Sequence, residues 1–293
     1  MKKRLRIALQ KKGRLAQESL SLLQKCGLKF RIKENGLLAH VDNFPIDLLF
    51  VRDDDIPTLI FDGLCDGGIV GENVLLEAAL SATTKSYQTI LTLGNCRCRL
   101  SIAVPETFDY RGPGSLDGKR IATSYPLLLA QYLAKEQICA ESLVLSGSVE
   151  VAPRMGMADV ICDLVSSGQT LEDNKLVEVE IVLHSQAVFI QAEHIMDPSF
   201  HDLFAMLQRR IQAVQQASER KYILFHAPKM ALERICEQLP GAESPTIMPL
   251  PANPEKVAVH VVSSEGIFWN TLETIQSLGA SSILVLPIEK MLE

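Results

Sequence analysis

The sequence is poor in several features that would assign it to other classes of protein. No apolar run reaches the roughly 20 residues that a membrane-spanning helix needs. Basic residues do not outnumber acidic ones, and the formal net charge of −6 argues against a general nucleic-acid-binding protein. Met1-Lys2-Lys3-Arg4 leads directly into a strand-like segment at residues 5–9. We therefore expect no signal peptide, a cytoplasmic protein, and neither nucleic acid nor membrane as a partner.

The seven cysteines show no disulfide framework, because their number is odd and their spacing irregular. Such a pattern favours reduced thiols in a cytoplasm. Cys96 and Cys98 are the one close pair, but a zinc site would need further ligands and the six histidines are dispersed. Structural cysteines are the favoured interpretation, and no Ser/His/Asp or Cys/His set indicates a nucleophilic enzyme.

The composition is that of a globular protein with a large core. Of the 293 residues, 47% are hydrophobic and 22% charged, and this length allows two or three domains. Strand-like apolar runs alternate with segments of helical spacing, which predicts an α/β fold. The pattern alone permits either two lobes joined by crossing strands or a single doubly wound sheet.

The stretch at residues 158–174 is organised like a ligand site. Val160 to Cys162 predicts a short buried strand that ends at Asp163. Five residues then follow whose N–H groups and side chains can converge on one anion: Ser166, Ser167, Gly168, Gln169 and Thr170. A helical turn beginning near Leu171 would add its N-terminal dipole. On spacing alone, a phosphate site and an ordinary strand-to-helix turn are equally supported.

Two polar turns follow predicted strands in the first part of the chain. One contains Lys11, Gly13 and Arg14, and the other contains Arg52 followed by the acidic run 53–55. Ligands of open α/β sheets bind beyond the carboxyl ends of strands, where cations can meet a triphosphate. A solvated basic turn, or acidic residues that stabilise the start of a helix, are the structural alternatives.

Two further segments carry candidate groups. Gly71 allows close backbone approach to a ligand, whereas Glu72 beside it is equally well explained as an acid at a helix start. A long strand at 96–104 places Arg97 and Arg99 on one face. That face suits phosphate binding at a cleft between domains, and an exposed edge strand is the alternative.

Residues 147–174, GSVEVAPRMGMADVICDLVSSGQTLEDN, resemble the signature of ATP phosphoribosyltransferase, the family that opens histidine biosynthesis. The order of acidic residue, short gap and Ser/Thr-Gly-x-Thr is also similar to the loop that binds phosphoribosyl pyrophosphate (PRPP) in phosphoribosyltransferases. The segments QKKGRL at 10–15 and VRDDDIP at 51–57 are similar to the same family. These matches lie along the whole chain, which resembles the family's long form with its own regulatory domain.

The resemblance implies that the adenine N1 of ATP attacks the anomeric carbon of PRPP, with release of pyrophosphate. Mg²⁺ is the implied cofactor, because two highly anionic substrates must approach each other. The implied fold is a two-lobed α/β catalytic region like that of periplasmic binding proteins. Lobe I would comprise residues 1–97 and 184–220, and lobe II residues 98–183.

The resemblance also distributes roles over these motifs. Residues 166–170 would bind PRPP together with Asp163, which would lie near its ribose or the metal, and with Asp159. The catalytic residues would be Asp163, Arg52 and Arg99. The ATP-binding residues would be Lys11, Gly13, Arg14, Gly71 and Glu72.

Residues 221–293 read as a separate unit in the order β-α-β-β-α-β, which predicts a ferredoxin-like, ACT-like module of about 70 residues. SPTIMPL at 244–250, HVVSSE at 260–265 and GASSILVLPIEKM at 279–291 resemble the C-terminal region of the long form. The resemblance implies a regulatory domain that binds histidine, in a homo-hexamer built from dimers. The candidate histidine ligands are Thr246, Ser263 and Ser264, which are also ordinary turn and capping residues.

Two other classes of protein compete with this assignment. A two-lobed solute-binding module with an attached sensor would bind without turnover and would usually carry a secretion signal. An amino-acid-sensing transcriptional regulator would need a helix-turn-helix segment, which the sequence does not show.

Overall fold

The structure is a computed structural model that describes residues 4–33, 36–81, 87–193, 198–239, 245–264 and 269–292. Contacts divide the chain into two compact units. The first unit holds Met1–Gln24 and Leu28–Leu203, and the second holds Lys25–Gly27 and Phe204–Glu293. In the part of the chain that is described, no helix is both long and apolar enough to cross a membrane.

The described part of the first unit contains eleven strands: β1 Leu5–Gln10, β2 Leu38–His40, β3 Ile46–Val51, β4 Gly67–Gly71, β5 Tyr87–Thr92, β6 Cys98–Pro105, β7 Arg120–Thr123, β8 Glu141–Val144, β9 Val160–Val165, β10 Leu176–Ser185 and β11 Ala187–Ala192. Its helices are α1 Arg14–Lys25, α2 Asp55–Phe61, α3 Glu72–Ser81, α4 Pro126–Glu136 and α5 Gln169–Asp173, and α6 Ser199–Ser218 leads into the second unit.

The first lobe is a six-stranded sheet in the order β2-β3-β1-β4-β11-β5. β1 is parallel to both β3 and β4, so the carboxyl ends of these three strands meet at one edge. Ile7 and Leu48 are fully buried in the sheet, and Ile56 and Ile60 of α2 pack against it. The predicted ATP residues lie at the ends of β1 and β4 and the predicted catalytic Arg52 follows β3, so this topology brings them to the same edge.

The second lobe is a five-stranded sheet in the order β10-β6-β9-β7-β8. β7 is parallel to β8 and β9, whereas β6 is antiparallel to β9 and β10. Leu128 and Leu129 of α4 belong to one buried cluster of this lobe, and Leu171 of α5 belongs to another. The chain enters this sheet after β5 and leaves it after β10. This double crossing excludes a single doubly wound sheet and confirms the two-lobed architecture.

Two local predictions are wrong, and one strand was not predicted. The sequence after Gly147 and Ser148 predicts a helix that carries Glu150 and Arg154, but the structure has a 3₁₀ turn at Val149–Val151 followed by turns, because Pro153 removes an N–H donor and Gly156 adopts φ +67°. β9 does not end at Asp163 but continues to Val165, since its ladder with β6 continues to Arg99. β2, which the sequence analysis did not assign, is only three residues long.

The second unit ends in a four-stranded sheet. Its strands are β12 Arg220–Pro228, β13 Thr246–Pro249, β14 Lys256–Ser264 and β15 Ser281–Pro287, and its helices after α6 are α7 Leu232–Cys236 and α8 Trp269–Ser277. The antiparallel order β13-β14-β12-β15 is that of a ferredoxin-like module and confirms the predicted β-α-β-β-α-β unit. The sequence also predicts a helix from Gly266 to Leu278, whose start lies outside the described residues.

Alternation along β12 and β14 separates the two faces of this sheet. Ile223, Phe225 and Val259 are fully buried and form a core with Ile235 of α7 and Ile275 of α8. The intervening side chains lie on the opposite, helix-free face. The end of the chain packs on α6, where the N–H of Met291 donates to the carbonyl of Ala213 over 3.1 Å.

We predict that Gly68→Ala destabilises the first lobe by about 1–3 kcal/mol. A Cβ at Gly68 would lie 2.9 Å from the carbonyl oxygen of Ala8 and 3.0 Å from Ile56 and Ile60, so the sheet or α2 has to shift. Gly114→Ala is the matched control, since a Cβ there meets nothing within 4 Å. Calorimetry should show a lower unfolding midpoint for the Gly68 variant alone, and an unchanged midpoint would contradict this packing.

Candidate active site

The predicted PRPP loop lies where β9 ends and α5 begins. Gly168 is the residue before α5 and adopts φ +89°, a conformation that favours glycine. In the chain as described, the N–H groups of Ser167, Gly168 and Thr170 have no acceptor, and Ser166, Ser167 and Thr170 are exposed. The loop therefore offers backbone donors and hydroxyls to solvent at the carboxyl end of a buried strand, as an anion site requires.

Asp163 lies within β9, three residues before this loop, and is half-buried. Its Oδ1 accepts a 2.8 Å hydrogen bond from the N–H of Leu164. Burial raises the pKa of its carboxyl group, the hydrogen bond from Leu164 opposes that rise, and the nearby Glu150 adds to it. A partly buried carboxylate with a raised pKa, next to backbone N–H groups that have no acceptor, is typical of a functional site.

Asp159 is not near the loop. It precedes β9, where its Oδ2 accepts a 2.8 Å hydrogen bond from the N–H of Arg120. The length of β9 separates Asp159 from Ser166 by roughly 20 Å. Asp159 and Ser166, which were both assigned to PRPP, therefore lie at opposite ends of β9, because the strand is extended.

Arg99 of β6 forms an ion pair with Glu178 of β10. Its guanidinium forms two hydrogen bonds with the carboxylate of Glu178, which also accepts a 2.7 Å bond from Ser101. This pairing holds the pKa of Glu178 below its ordinary value. Nη1 of Arg99 also donates to the carbonyl of Ser166 over 3.4 Å, so Arg99 contacts the loop backbone. The edge-strand alternative for this segment is wrong, because β6 lies between β10 and β9.

The first-lobe turns are exposed and adjacent. The N–H of Lys11 donates to the carbonyl of Val51 over 2.8 Å, which joins the turn after β1 to the turn after β3 that begins with Arg52. Gly13 has φ +99° and allows the tight turn into α1. Arg14, the first residue of α1, forms a 2.7 Å ion pair with Glu18. Lys11 and Arg52 form no ion pair within the described residues.

The acidic run after Arg52 is more than a helix cap. Asp54 precedes α2, yet its side chain makes no capping hydrogen bond. Asp54 is exposed at the surface, yet partial desolvation by its surroundings raises the pKa of its carboxyl group, the neighbouring Asp53 and Asp55 raise it further, and Arg52 opposes the rise. Asp55 lies in the first turn of α2, where the helix dipole stabilises it.

Gly71 is required by a neighbouring side chain. A Cβ at this position would lie 2.6 Å from the Oδ1 of Asn73. Glu72 is half-buried and is the first residue of α3, which agrees with its interpretation as an acidic residue at a helix start. Close packing against Asn73 therefore explains why glycine occupies position 71. The contact of Gly71 with ATP stays a prediction.

Tyr125, to which the sequence analysis gave no role, connects the two lobes. Its hydroxyl accepts a 2.8 Å hydrogen bond from Nδ2 of Asn73, and its ring packs against buried clusters of both lobes. Burial raises the pKa of this hydroxyl, and Asp163, Asp53 and Asp54 raise it further. Carboxylates of both lobes therefore affect the ionisation of one tyrosine. The available signal was its position two residues after the end of β7, the strand beside β9.

The predicted histidine ligands do not converge. Thr246 lies opposite His260 on the helix-free face, and alternation along β14 places Ser264 on that same face. Ser263 is only 1% exposed and points to the helix side. Ser244 and Glu265, which belong to the two motifs concerned, lie outside the described residues.

The fold and site define a two-lobed α/β protein that has a loop of exposed hydrogen-bond donors after β9 and a C-terminal ferredoxin-like module. Residues 52–213 match the model of the ATP phosphoribosyltransferase family, and residues 217–290 match that of the HisG C-terminal domain. The chain belongs to the ATP phosphoribosyltransferase family, and the two matches together fit its long form.

One solved structure of this family is similar to the chain over most of its length. One chain of the ATP phosphoribosyl transferase (HisG:HisZ) complex from Thermotoga maritima is 28% identical, with a TM-score of 0.60 over 71% of this chain and 98% of that chain. A protein from Archaeoglobus fulgidus is 14% identical, with a TM-score of 0.46 over 72% of this chain and 75% of that one. The protein is thus a pentosyltransferase of histidine biosynthesis, and the alternative of a binding module without turnover is not favoured.

We predict that Asp163→Asn lowers turnover and raises thermal stability at neutral pH. A carboxyl whose folded pKa is raised favours folding only while it is protonated, so the wild type loses this contribution as pH rises above the ordinary value of 3.8. The amide has no charge to bury and can still accept from Leu164. Unfolding midpoints should diverge as pH rises through that window, and a less stable variant at pH 7 would contradict the assignment.

Proposed function

We propose that residues 166–170 bind the 5′-phosphate of PRPP and that Asp163 orients its ribose or the metal. The observation that carries this proposal is the set of unpaired N–H groups and exposed hydroxyls at the carboxyl end of β9. The loop backbone is braced by Arg99, whose own charge is balanced by Glu178. Arg99 therefore acts on this loop rather than as a free cation for pyrophosphate.

Lys11, Gly13, Arg14, Gly71 and Glu72 are the residues proposed to bind ATP. In this arrangement the first lobe presents ATP and the second presents PRPP. The adenine N1 forms a bond to the anomeric carbon of PRPP, and the carbon–oxygen bond to pyrophosphate breaks with its electron pair on the leaving oxygen. No side-chain nucleophile takes part, so the protein contributes positioning and charge balance. Lys11 and Arg52 are the cations best placed to balance phosphate charge.

Mg²⁺ is proposed as the cofactor, held jointly by substrate and protein. The described residues contain no group of three or more potential metal ligands. Mg²⁺ typically uses one or two carboxylates together with substrate phosphates, and Asp163 and Asp53 are suitable oxygen donors. When bound, the ion would neutralise charge on the pyrophosphate group as it leaves.

The domain bounds proposed are those of the sequence analysis, with lobe I at 1–97 and 184–220, lobe II at 98–183 and the regulatory domain at 221–293. A cytoplasmic location is proposed because all seven cysteines are free thiols, including the exposed Cys139.

A homo-hexamer built from dimers is proposed from the helix-free face of the C-terminal sheet. Leu284 and Leu286 on β15 are 53% and 47% exposed, and Met248 on β13 is 45% exposed. The ladder places Leu284 beside Leu224 and Leu286 beside Tyr222, so these side chains form one apolar surface. A second copy of the same sheet is the partner that such a self-complementary surface fits. The Thermotoga maritima protein was solved as a HisG:HisZ complex, whereas this chain carries its own matching C-terminal domain.

Histidine is proposed as the inhibitor, bound at the helix-free face with Thr246 among its contacts. Thr246 is exposed there, and beside it His260 accepts from or donates to the hydroxyl of Tyr222 over 2.7 Å. Polar groups on an apolar sheet surface suit a small zwitterion at a seam between subunits. Inhibition at a distance requires that histidine bind one arrangement of the assembly better than another.

We predict that Thr170→Val raises the KM for PRPP by about 10- to 150-fold, since a hydrogen bond to a charged group contributes about 1.5–3 kcal/mol. Valine keeps the shape of the side chain and removes the hydroxyl. Thr170→Ser is the matched control and should stay near the wild-type value. Pyrophosphate release with Mg²⁺, ATP and varied PRPP measures this, and an unchanged KM would remove Thr170 from the site.

We also predict that Thr246→Val raises the histidine concentration needed for half-inhibition by about tenfold, the value of one lost hydrogen bond of about 1.4 kcal/mol. The uninhibited rate should stay the same, because the residue lies outside the first unit. Ser263→Ala is the control, since its side chain faces the helices. Equal histidine sensitivity in the wild type and the Thr246 variant would argue against this contact.

A further inference from the structure

One face of α3 contacts the second lobe although α3 belongs to the first. Asn73, Leu76 and Glu77 are spaced i, i+3 and i+4, which puts their side chains on the same side of the helix. Leu76 packs against the buried cluster of the second lobe that contains Leu128 and Leu129. The lobes therefore share an apolar contact beside the polar contacts made by Asn73 and Glu77.

Glu77 caps a helix of the other lobe. The first N–H groups of any helix lack partners within it, and α4 receives no side-chain cap from the preceding Tyr125. The two carboxylate oxygens of Glu77 instead accept hydrogen bonds from the N–H groups of Leu127 and Leu128, each over 2.8 Å. A negative charge at this end of α4 also complements its dipole.

The capped turn is continuous with Tyr125, which packs against buried clusters of both lobes. The N–H of Tyr125 donates to Oγ1 of Thr123 at the end of β7, and its hydroxyl accepts from Asn73. Asn73 is in turn fixed by Ser185, whose hydroxyl donates to its Oδ1 over 2.7 Å and accepts from its N–H over 3.0 Å. The start of α4 and the ring of Tyr125 are thus both held by one face of α3.

We infer that Glu77 is a positioning residue of the transferase, which holds the first turn of α4 so that the two lobes present their substrate sites to the same space. The inference rests on the proposed placement of ATP on the first lobe and PRPP on the second. Loss of the cap lowers the fraction of molecules in the competent arrangement. The apparent affinity of each substrate then falls by that same fraction, while saturating substrates restore the arrangement.

Glu77→Gln tests this inference. The amide carries no charge, and its NH₂ group replaces one of the two oxygens that accept from Leu127 and Leu128, so that one of these N–H groups would face another donor. We expect the KM for each substrate, measured with the other substrate held well below saturation, to rise by a common factor of about five, with kcat unchanged when both are saturating. Hydrogen exchange at the amides of Leu127 and Leu128 should become faster. Glu136→Gln makes the same chemical change at the other end of α4 and should alter neither quantity.

Glu77→Asp is the second variant, in case the glutamine variant does not fold. It retains the charge but is one methylene shorter, so both KM values should rise by a smaller common factor. A lower unfolding midpoint with both KM values unchanged would reduce Glu77 to a stabilising cap and overturn the inference. A change in the KM of one substrate alone would also overturn it. Failure of the PRPP-loop assignment would instead appear in Thr170→Val, where no common factor is involved.

Discussion

The buried amide of Asn73 is the constraint on which the arrangement of the two lobes depends. Only 3% of this residue is exposed, so both ends of its amide need partners inside the protein. Ser185 at the end of β10 supplies one partner, and Tyr125 at the start of α4 supplies another. Leaving either group unpaired would cost about 1–3 kcal/mol. The end of β10 and the start of α4, which both belong to the second lobe, are therefore fixed to Asn73 of the first lobe.

Charge is distributed unevenly around this junction. Asp163, Asp53 and Asp54 all raise the pKa of Tyr125, whereas Arg14 and Arg99 are paired with Glu18 and Glu178. Lys11 and Arg52 form no ion pair within the described residues, so anionic substrates would meet these two cations as well as the carboxylates. A divalent ion bound here would lower the repulsion between the carboxylates and the substrate phosphates, which is a physical reason for Mg²⁺ in the proposed reaction.

Local patterns in the sequence were good guides to the elements and poor guides to their ends. The apolar run at 160–162 correctly indicated a strand, but the ladder with β6 carries β9 on to Val165. The acidic segment with Glu150 has the spacing of a helix, yet Pro153 and Gly156 reduce it to turns. Asp159 belongs to the same sequence motif as the proposed PRPP loop but lies at the opposite end of β9. An extended strand holds residues that are several positions apart in sequence far apart in space.

The sequence by itself determined the family, the order of strands and helices, the βαββαβ module and the composition of the loop at 166–170, because these depend on local periodicity and on short motifs. Only the tertiary structure decided which residues meet. Tyr125, Asn73, Glu77 and Ser185 lie as far as 112 positions apart, and nothing in their local sequence marks them as partners. Their pairing depends on two chain crossings that place α3 against α4. Long-range contacts of this kind are decided by topology, which local periodicity does not encode.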